Sequence, residues 1–215
     1  SDDYIELDPW EFGGEAFSVE AYVKYDSFNN WSRIFDFGGG DPSNNVILAN
    51  VGNTTTGIFI IRQDSNNLSV RVDNFFVQDI WTHIIASTDN SGIVTLYKNG
   101  SFDASGTVHL PLFLTRTNHY IGRSNFENEY FNGTIAYFRW WDGTALSADE
   151  VATLYTNREN IISQGLNFNI DNETALTINK GKLSMPNNVD IVTTNKEIFY
   201  NICLLYTSDA ADDTC

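Results

Sequence analysis

The sequence predicts an all-β fold, a sandwich or barrel of short strands with a single short helix near residue 150. Through residue 140, segments of alternating apolar and polar residues are separated by clusters of Gly, Asn, Asp and Ser, a pattern typical of such folds. Of the 215 residues, 42% are hydrophobic, which is enough for a packed core and excludes a disordered chain. The length predicts one sandwich-sized domain and a shorter remnant.

The first strand that the pattern predicts covers residues 17–25. Apolar residues at 17, 19, 21, 23 and 25 define a buried face, because successive side chains of a strand point to opposite sides. The other face is predicted to be wetter, and it carries Ser18, Glu20, Tyr22 and Lys24. Residues 68–73 alternate in the same way, with Ser69, Arg71 and Asp73 on the polar face.

The later elements are a hairpin, a last strand and the helix. Residues 93–98 form a predicted strand that ends at Asn99-Gly100, a pair suited to the positive φ angles of a tight turn. Residues 131–141 predict a last strand with aromatic residues on both faces. Ser147 and Glu150 form a capping box. Residues 151, 154 and 155 then place apolar side chains on one helix face, and the helix should pack against the edge of the sandwich or close one end of it.

The remainder of the chain has a weaker pattern. Residues 166–170, 176–178 and 182–185 are candidate strands without a visible partner, so 158–202 is interpreted as a linker and the truncated start of a second module. Residues 203–212, CLLYTSDAAD, resemble the translation of a transposase sequencing adaptor. We therefore interpret 203–215 as an artefact. Both cysteines lie in that tail, so neither a disulfide framework nor a Cys-ligated zinc site is expected.

The net charge argues against two classes of partner. A formal charge of −16 is unsuited to nucleic acid, whose phosphates need clustered Lys and Arg, and it disfavours anionic membrane surfaces. No segment approaches the ~18 apolar residues of a membrane-spanning helix, so membrane insertion is not expected. The oligomeric state is left open.

Three segments together resemble the laminin-G-like members of the concanavalin A-like lectin/glucanase superfamily. They are residues 16–38 (AFSVEAYVKYDSFNNWSRIFDFG), 81–100 (WTHIIASTDNSGIVTLYKNG) and 120–155, which begins YIGRSNFENEYFNGTIAYFRWW. The resemblance covers residues 1–157. It implies a two-sheet antiparallel jelly-roll sandwich with one short C-terminal helix, an architecture that lectins use. The superfamily contains lectins, adhesion modules, pentraxins and glucanases, so the sites must decide the function.

An enzyme is not expected. The glucanases of this superfamily carry their catalytic carboxylates on a Glu-x-Asp-x-x-Glu strand, and this chain has no such run. Glu127 and Glu129 are too close in sequence and lie in a predicted loop, while Asp149 and Glu150 are explained by helix capping. His83, two residues after Trp81, is interpreted as a structural core residue because no ligand or acid is adjacent in the sequence.

A calcium site is the second functional expectation. In the pentraxin relatives, two loops at corresponding places converge on calcium. The resemblance assigns Asn44 and Asn45 to one side of the site and Asn125, Glu127 and Glu129 to the other. These side chains supply the hard oxygen ligands that calcium prefers. Asn44 stands where the relatives have a carboxylate, and Asp41 would compensate for it. The alternative is that both loops are ordinary polar turns.

Aromatic side chains are the candidates for stacking on sugar rings. The candidates are Trp10, Trp31, Trp140, Trp141, Tyr22 and Tyr130, and we assign ligand binding to Trp31, Tyr130 and Trp141. Because adjacent strand residues point to opposite sides, Trp140 and Trp141 cannot both be buried on one face, so one of them is a candidate for exposure. The alternative is that such a Trp covers the edge of the core.

These observations favour a non-catalytic module that binds glycans or glycoproteins, assisted by calcium, within a larger extracellular or virion-surface protein. Residues 142–160, DGTALSADEVATLYTNREN, are similar to modules of this kind in large viruses of marine algae. The alternative is a structural or adhesion domain that makes protein contacts and binds no sugar. A glycanase is disfavoured by the missing carboxylate pair.

Overall fold

The computed structural model describes residues 4–40, 43–64, 66–126 and 129–163, and the backbone of three short strands beyond them. Sixteen strands and one helix are present in these parts of the chain. Their bounds are β1 Ile5–Leu7, β2 Trp10–Phe12, β3 Phe17–Tyr25, β4 Arg33–Gly38, β5 Val46–Asn50, β6 Gly57–Gln63, β7 Asn66–Val72, β8 Thr82–Thr88, β9 Ile93–Lys98, β10 Ser101–Thr107, β11 Leu114–Arg116, β12 Asn118–Ile121, β13 Gly133–Asp142, α1 Ala148–Ser163, β14 Thr177–Asn179, β15 Lys182–Ser184 and β16 Glu197–Tyr200.

Two six-stranded sheets form the sandwich, and every strand pair in them is antiparallel. The first sheet has the order β1-β12-β4-β5-β6-β7, and the second has the order β10-β9-β8-β3-β13-β16. The predicted all-β, two-sheet antiparallel jelly-roll sandwich is confirmed. The predicted hairpin between β9 and β10 is present, and its turn residues Asn99 and Gly100 have φ angles of 51° and 77°.

The main core fills the space between the two sheets. Alternate residues of the first sheet, such as Phe35, Phe37 and Phe59, point inward and meet Val19 and Trp140 from the second sheet. Trp140 is fully buried, and its ring stacks on Phe17 with a centroid distance of 4.8 Å. Aromatic rings therefore dominate this core, as the composition indicates.

The second sheet is buried on its outer face as well, because helix α1 covers it. Ile85, Tyr97, Trp141, Leu146 and Val151 form a second apolar cluster there, and Leu154 packs against it. The prediction that the polar face of residues 17–25 is wetter is wrong for Ser18, Glu20 and Tyr22, which are all buried. Strand alternation identifies the two faces of a strand, but it does not show that a distant helix lies on one of them.

The start and the apolar face of α1 agree with the sequence. The backbone N–H of Glu150 donates to Ser147 Oγ at 3.4 Å, and the backbone N–H of Ser147 donates to Glu150 Oε2 at 2.8 Å. This reciprocal pair is the predicted capping box. The helix continues to Ser163, so the predicted boundary after residue 157 falls inside it. No Pro or Gly ends the helical pattern before Gly165.

The C-terminal part of the chain is described only as backbone strands. β14 pairs with β15, and β16 pairs with β13 at the edge of the second sheet. Two of the predicted strand segments therefore pair with each other. The candidate strand at 166–170 and the tail 203–215 lie outside the described residues. In the part of the chain that is described, α1 is neither long nor apolar enough to cross a membrane.

Candidate functional site

A groove of about 540 Å³ lies on the outer face of the first sheet. Strands β4, β5, β6 and β7 supply its floor and its far side, and three loop residues, Trp31, Phe126 and Glu129, supply its walls. Its lining consists of Trp31, Arg33, Ile47, Ile58, Ile60, Arg62, Asn67, Ser69, Arg71, Phe126 and Glu129. Ligand pockets for small molecules commonly have volumes of ~300–1,000 Å³, so the groove has room for a short oligosaccharide.

The floor of the groove is apolar. Ile47, Ala49 and Ile58 are buried there, and Trp31, Ile60 and Phe126 pack over them. The register of the sheet places Ala49 opposite Ile58, and Ile58 opposite Arg71. Outward-pointing positions of neighbouring strands thus form continuous rows across the sheet.

Two aromatic rings stand over this floor. Trp31 lies just before β4, Phe126 lies in the loop after β12, and both are partly exposed. Trp31 has a φ angle of 52°, a left-handed conformation that is rare for a bulky residue. Its backbone N–H donates to Gly52 O at 3.0 Å, and its carbonyl oxygen accepts from Arg33 Nη1. Strained conformations held by the surrounding structure are frequent at functional sites.

Three arginines alternate with the two rings. The Arg62 guanidinium carbon lies 4.5 Å from the centroid of Phe126, and that of Arg33 lies 5.8 Å from it. The guanidinium carbons of Arg33 and Arg71 each lie 6.0 Å from the Trp31 ring. These distances are within the range of cation–π attraction. The side chains thus form one ladder of cations and rings along the groove.

A hydrogen-bond cluster around Asp36 anchors the loop that carries Phe126. Asp36 is buried on β4, and its Oδ1 accepts from the amide groups of Asn45 at 2.7 Å and Asn125 at 2.9 Å. Its Oδ2 accepts from the backbone N–H of Asn125 at 3.0 Å and lies 3.7 Å from Arg33 Nε. Burial raises the pKa of the Asp36 carboxyl, while these hydrogen bonds act in the opposite direction.

The residues predicted to bind calcium are only partly brought together. Asn45 and Asn125 meet at Asp36, whereas Asn44 donates to Ser43 Oγ at 3.1 Å and Glu129 pairs with Arg33 at 3.0 Å. Asp41 and Glu127 lie outside the described residues. Among the side chains that are described, no three His, Cys, Asp or Glu groups come together to hold a metal. The calcium assignment stays a prediction.

The three predicted sugar-stacking residues have different environments. Trp31 lines the groove, and Tyr130 lies outside it, in a cluster with Tyr4 and Arg123. Trp141 is only 5% exposed because α1 covers it. Of the two interpretations of the Trp140–Trp141 pair, it is covering of the core that applies, since the two rings are buried on opposite faces of the second sheet. Trp141 is therefore not accessible for stacking on a ligand.

His83 has the structural role that the sequence predicts, but it does have an acidic partner. Its Nε2 lies 2.7 Å from Glu20 Oε1, and both side chains are fully buried. Glu20 also accepts from Tyr137 at 3.0 Å and from Arg139 Nε at 2.6 Å. Glu20 is on the neighbouring strand, where sequence adjacency does not reveal it.

Four charged or aromatic residues of the groove were missed by the sequence reasoning. Arg33, Arg62, Arg71 and Phe126 were not proposed as site residues. The alternation in 68–73 places Arg71 on the polar face, and Ile58, Ile60 and Arg62 alternate in the same way on β6. A sequence search for basic residues at outward strand positions would have found the two arginines of β6 and β7.

Comparison with known proteins agrees with this architecture. The family model described as the concanavalin A-like lectin/glucanases superfamily matches residues 1–152. No curated protein matches the chain significantly. Domain 4 of AbnA, a GH43 extracellular arabinanase from Geobacillus stearothermophilus solved with arabinotriose, is 24% identical with a TM-score of 0.56. The alignment covers 70% of this chain and 71% of that domain.

Two further solved structures share the fold. The CBM40 domain of the Ruminococcus gnavus IT-sialidase, bound to α2,3-sialyllactose, is 13% identical with a TM-score of 0.56, and the match covers 71% of this chain and 96% of that domain. A candidate carbohydrate-binding protein from Bacteroides ovatus is 20% identical with a TM-score of 0.55. The match covers 71% of this chain but only 44% of the Bacteroides protein. At these identities the likeness concerns the fold.

Proposed function

The chain belongs to the concanavalin A-like lectin/glucanase superfamily, and from this premise we propose that it is a non-catalytic glycan-binding module whose ligand occupies the groove on the first sheet. The observation that carries the proposal is the partly exposed Trp31 ring. The backbone of Trp31 has a φ angle of 52°, and its ring lies over a groove whose polar side chains are on β7. An aromatic face can accept the apolar face of a sugar ring. Asn67 and Ser69 are positioned to bond to its hydroxyl groups.

Comparison with other modules of this fold supports glycan binding in general. The Geobacillus domain was solved with arabinotriose, and the Ruminococcus domain was solved with sialyllactose. The Geobacillus domain is part of an extracellular arabinanase. By analogy, we propose that this module also works outside the cell within a larger protein. A position on a virion surface stays a prediction.

Binding rather than hydrolysis is favoured by the carboxylates of the groove. In its described lining Glu129 is the one carboxylate, and it is paired with Arg33 at 3.0 Å. A retaining glycosidase needs two carboxylates ~5–5.5 Å apart, and an inverting one needs them ~6.5–9.5 Å apart. Asp36 lies beneath the surface with its oxygens hydrogen-bonded. We therefore expect no release of reducing sugar from any oligosaccharide that binds.

Trp31→Ala should weaken glycan binding by about 30-fold or more, the effect of losing a central aromatic anchor worth ~2 kcal/mol. A glycan array identifies the best-bound oligosaccharide, and isothermal titration calorimetry then compares the variants. Trp81→Ala is the matched control, because Trp81 is also partly exposed but stacks on Tyr22 of the second sheet. Equal affinities of wild type and Trp31→Ala would reject the groove as the binding site.

We also propose that a calcium ion binds at the Asp36 cluster and assists glycan binding in the groove. The Oδ1 atoms of Asn44, Asn45 and Asn125 are buried and have no hydrogen-bond partner among the described residues. Amide and carboxylate oxygens are the ligands that calcium prefers. Because Asn45 and Asn125 turn their N–H groups toward Asp36, calcium would require both amides to rotate. Arg33 would have to tolerate a neighbouring cation.

Calcium should accordingly raise the melting temperature, since only the folded state brings these oxygens together. The comparison is between thermal melts in chelator and in ~10 mM calcium, a concentration above the usual affinity range of extracellular modules. Magnesium should reproduce the shift poorly because it demands a tighter octahedron. Superimposable melts in chelator and calcium would remove calcium from the account and leave the groove proposal intact.

A further inference from the structure

We infer that the groove selects acidic saccharides and that Arg62 and Arg71 bind their carboxylate or sulfate groups. This inference rests on the proposed glycan-binding function and adds the chemical class of the ligand. It starts from the charge of the lining. The whole chain has 12 Lys and Arg residues and 28 Asp and Glu residues, but the described lining of the groove has three arginines and a single carboxylate, Glu129. Acidic ligands are thus attracted to this groove, where the described side chains of an acidic protein gather positive charge.

The three arginines are not equivalent. Arg33 is nearly buried and pairs with Glu129 at 3.0 Å and with Asp36 at 3.7 Å. Its charge is already balanced by these two carboxylates, so its role is to position the loop and the Trp31 carbonyl group. Arg62 and Arg71 form no ion pair and no side-chain hydrogen bond with any residue in the described part of the chain. No described residue therefore competes with a ligand for their charges or their N–H donors.

The two guanidinium groups lie beside aromatic rings. Arg62 lies against Phe126 and Arg71 lies near Trp31. Stacking on a ring covers one face of a guanidinium group and leaves its in-plane N–H donors free, which is the arrangement that bidentate recognition of a carboxylate or sulfate needs. Less side-chain entropy is then lost when the anion binds.

The spacing of these groups fits an oligosaccharide. Arg71 of β7 pairs in register with Ile58 of β6. Arg62 lies four residues after Ile58 on β6, which separates the two arginine positions by roughly 13 Å at the rise of ~3.3 Å per residue. Trp31 lies at the Arg71 end of the groove and Phe126 at the Arg62 end. A chain of sugar rings can therefore contact an aromatic face and an arginine at either end.

The test compares neutral and acidic probes of matched size. Lactose is compared with sulfated lactose, and galactotriose is compared with 3′-sialyllactose and trigalacturonate, by calorimetric titration of the full chain. The acidic member of a pair should bind at least tenfold more tightly, the effect of one additional charge-assisted hydrogen bond. Its affinity should fall as ionic strength rises, because salt screens partly exposed charges. The sialic, uronic and sulfated arms identify which anion the arginines accept.

The double variant Arg62→Gln/Arg71→Gln should lose this preference while keeping the wild-type melting temperature. Lys24→Gln/Arg158→Gln removes the same net charge from the opposite side of the sandwich and should bind like wild type. Equal binding of neutral and acidic probes, or unchanged acidic binding by Arg62→Gln/Arg71→Gln, would overturn the inference and leave glycan binding standing. If no saccharide on the array or among these probes binds, the proposed function itself is rejected.

Discussion

Glu20→Gln should lower the free energy of unfolding by about 3–5 kcal/mol, the cost of breaking a buried ion pair by removing one charge. Glu20 is fully buried on β3, between the second sheet and α1. Its carboxylate accepts from Arg139, Tyr137 and His83. A Gln amide cannot accept from all three, because its N–H group would face another donor. The Arg139 guanidinium would also lose its counter-charge.

Urea denaturation followed by fluorescence measures the loss. Glu15→Gln is the matched control, because Glu15 lies on the same segment of the chain but is exposed, and surface substitutions usually change stability by less than ~0.5 kcal/mol. If Glu20→Gln unfolded at the wild-type urea concentration, the buried network would not be coupled to folding. The His83 assignment as a structural residue would then lose its basis.

Trp140→Ala should also cost about 3–5 kcal/mol, which is the usual range for removing a large aromatic side chain from a core. Trp140 is fully buried and contacts rings from both sheets. Its ring stacks on Phe17 at 4.8 Å and meets Phe12 edge-on at 4.9 Å. Removing it would leave a cavity at the point where the two sheets pack together.

Thermal and urea unfolding of Trp140→Ala should both shift, while Phe113→Ala should not. Phe113 is 67% exposed, so its truncation removes little buried surface and serves as the control. A Trp140→Ala protein as stable as wild type would show that the two sheets do not meet around this ring. The description of the main core would then be wrong.

The sequence predicted the parts of the fold that depend on local pattern. Alternation located strands such as β3 and β7, and Asn99-Gly100 and Ser147–Glu150 marked a turn and a helix start. The same alternation could not show that Glu20 is buried, since its cover is a helix more than a hundred residues later. The position of Trp141 was misjudged for the same reason.

The candidate site was harder to predict because it is assembled across strands. Arg33, Arg62 and Arg71 come from β4, β6 and β7, and only the strand register makes them neighbours. Trp31 was among the predicted ligand-binding residues, because an aromatic face can take the apolar face of a sugar ring. Asp36 was missed because it lies in an apparently apolar strand segment, FDFG, and its amide partners come from two separate loops.

Chemical-shift mapping tests the central claim, that glycans bind in the groove of the first sheet. A ¹⁵N-labelled sample is titrated with the best-bound oligosaccharide from the array, and the backbone amides that shift are assigned. The account predicts that the largest shifts fall on β6, on β7 and on the amides of Trp31 and Phe126, together with the Trp31 indole N–H. Large shifts confined to the second sheet or to the Tyr4–Tyr130 cluster, with the groove amides unmoved, would contradict it.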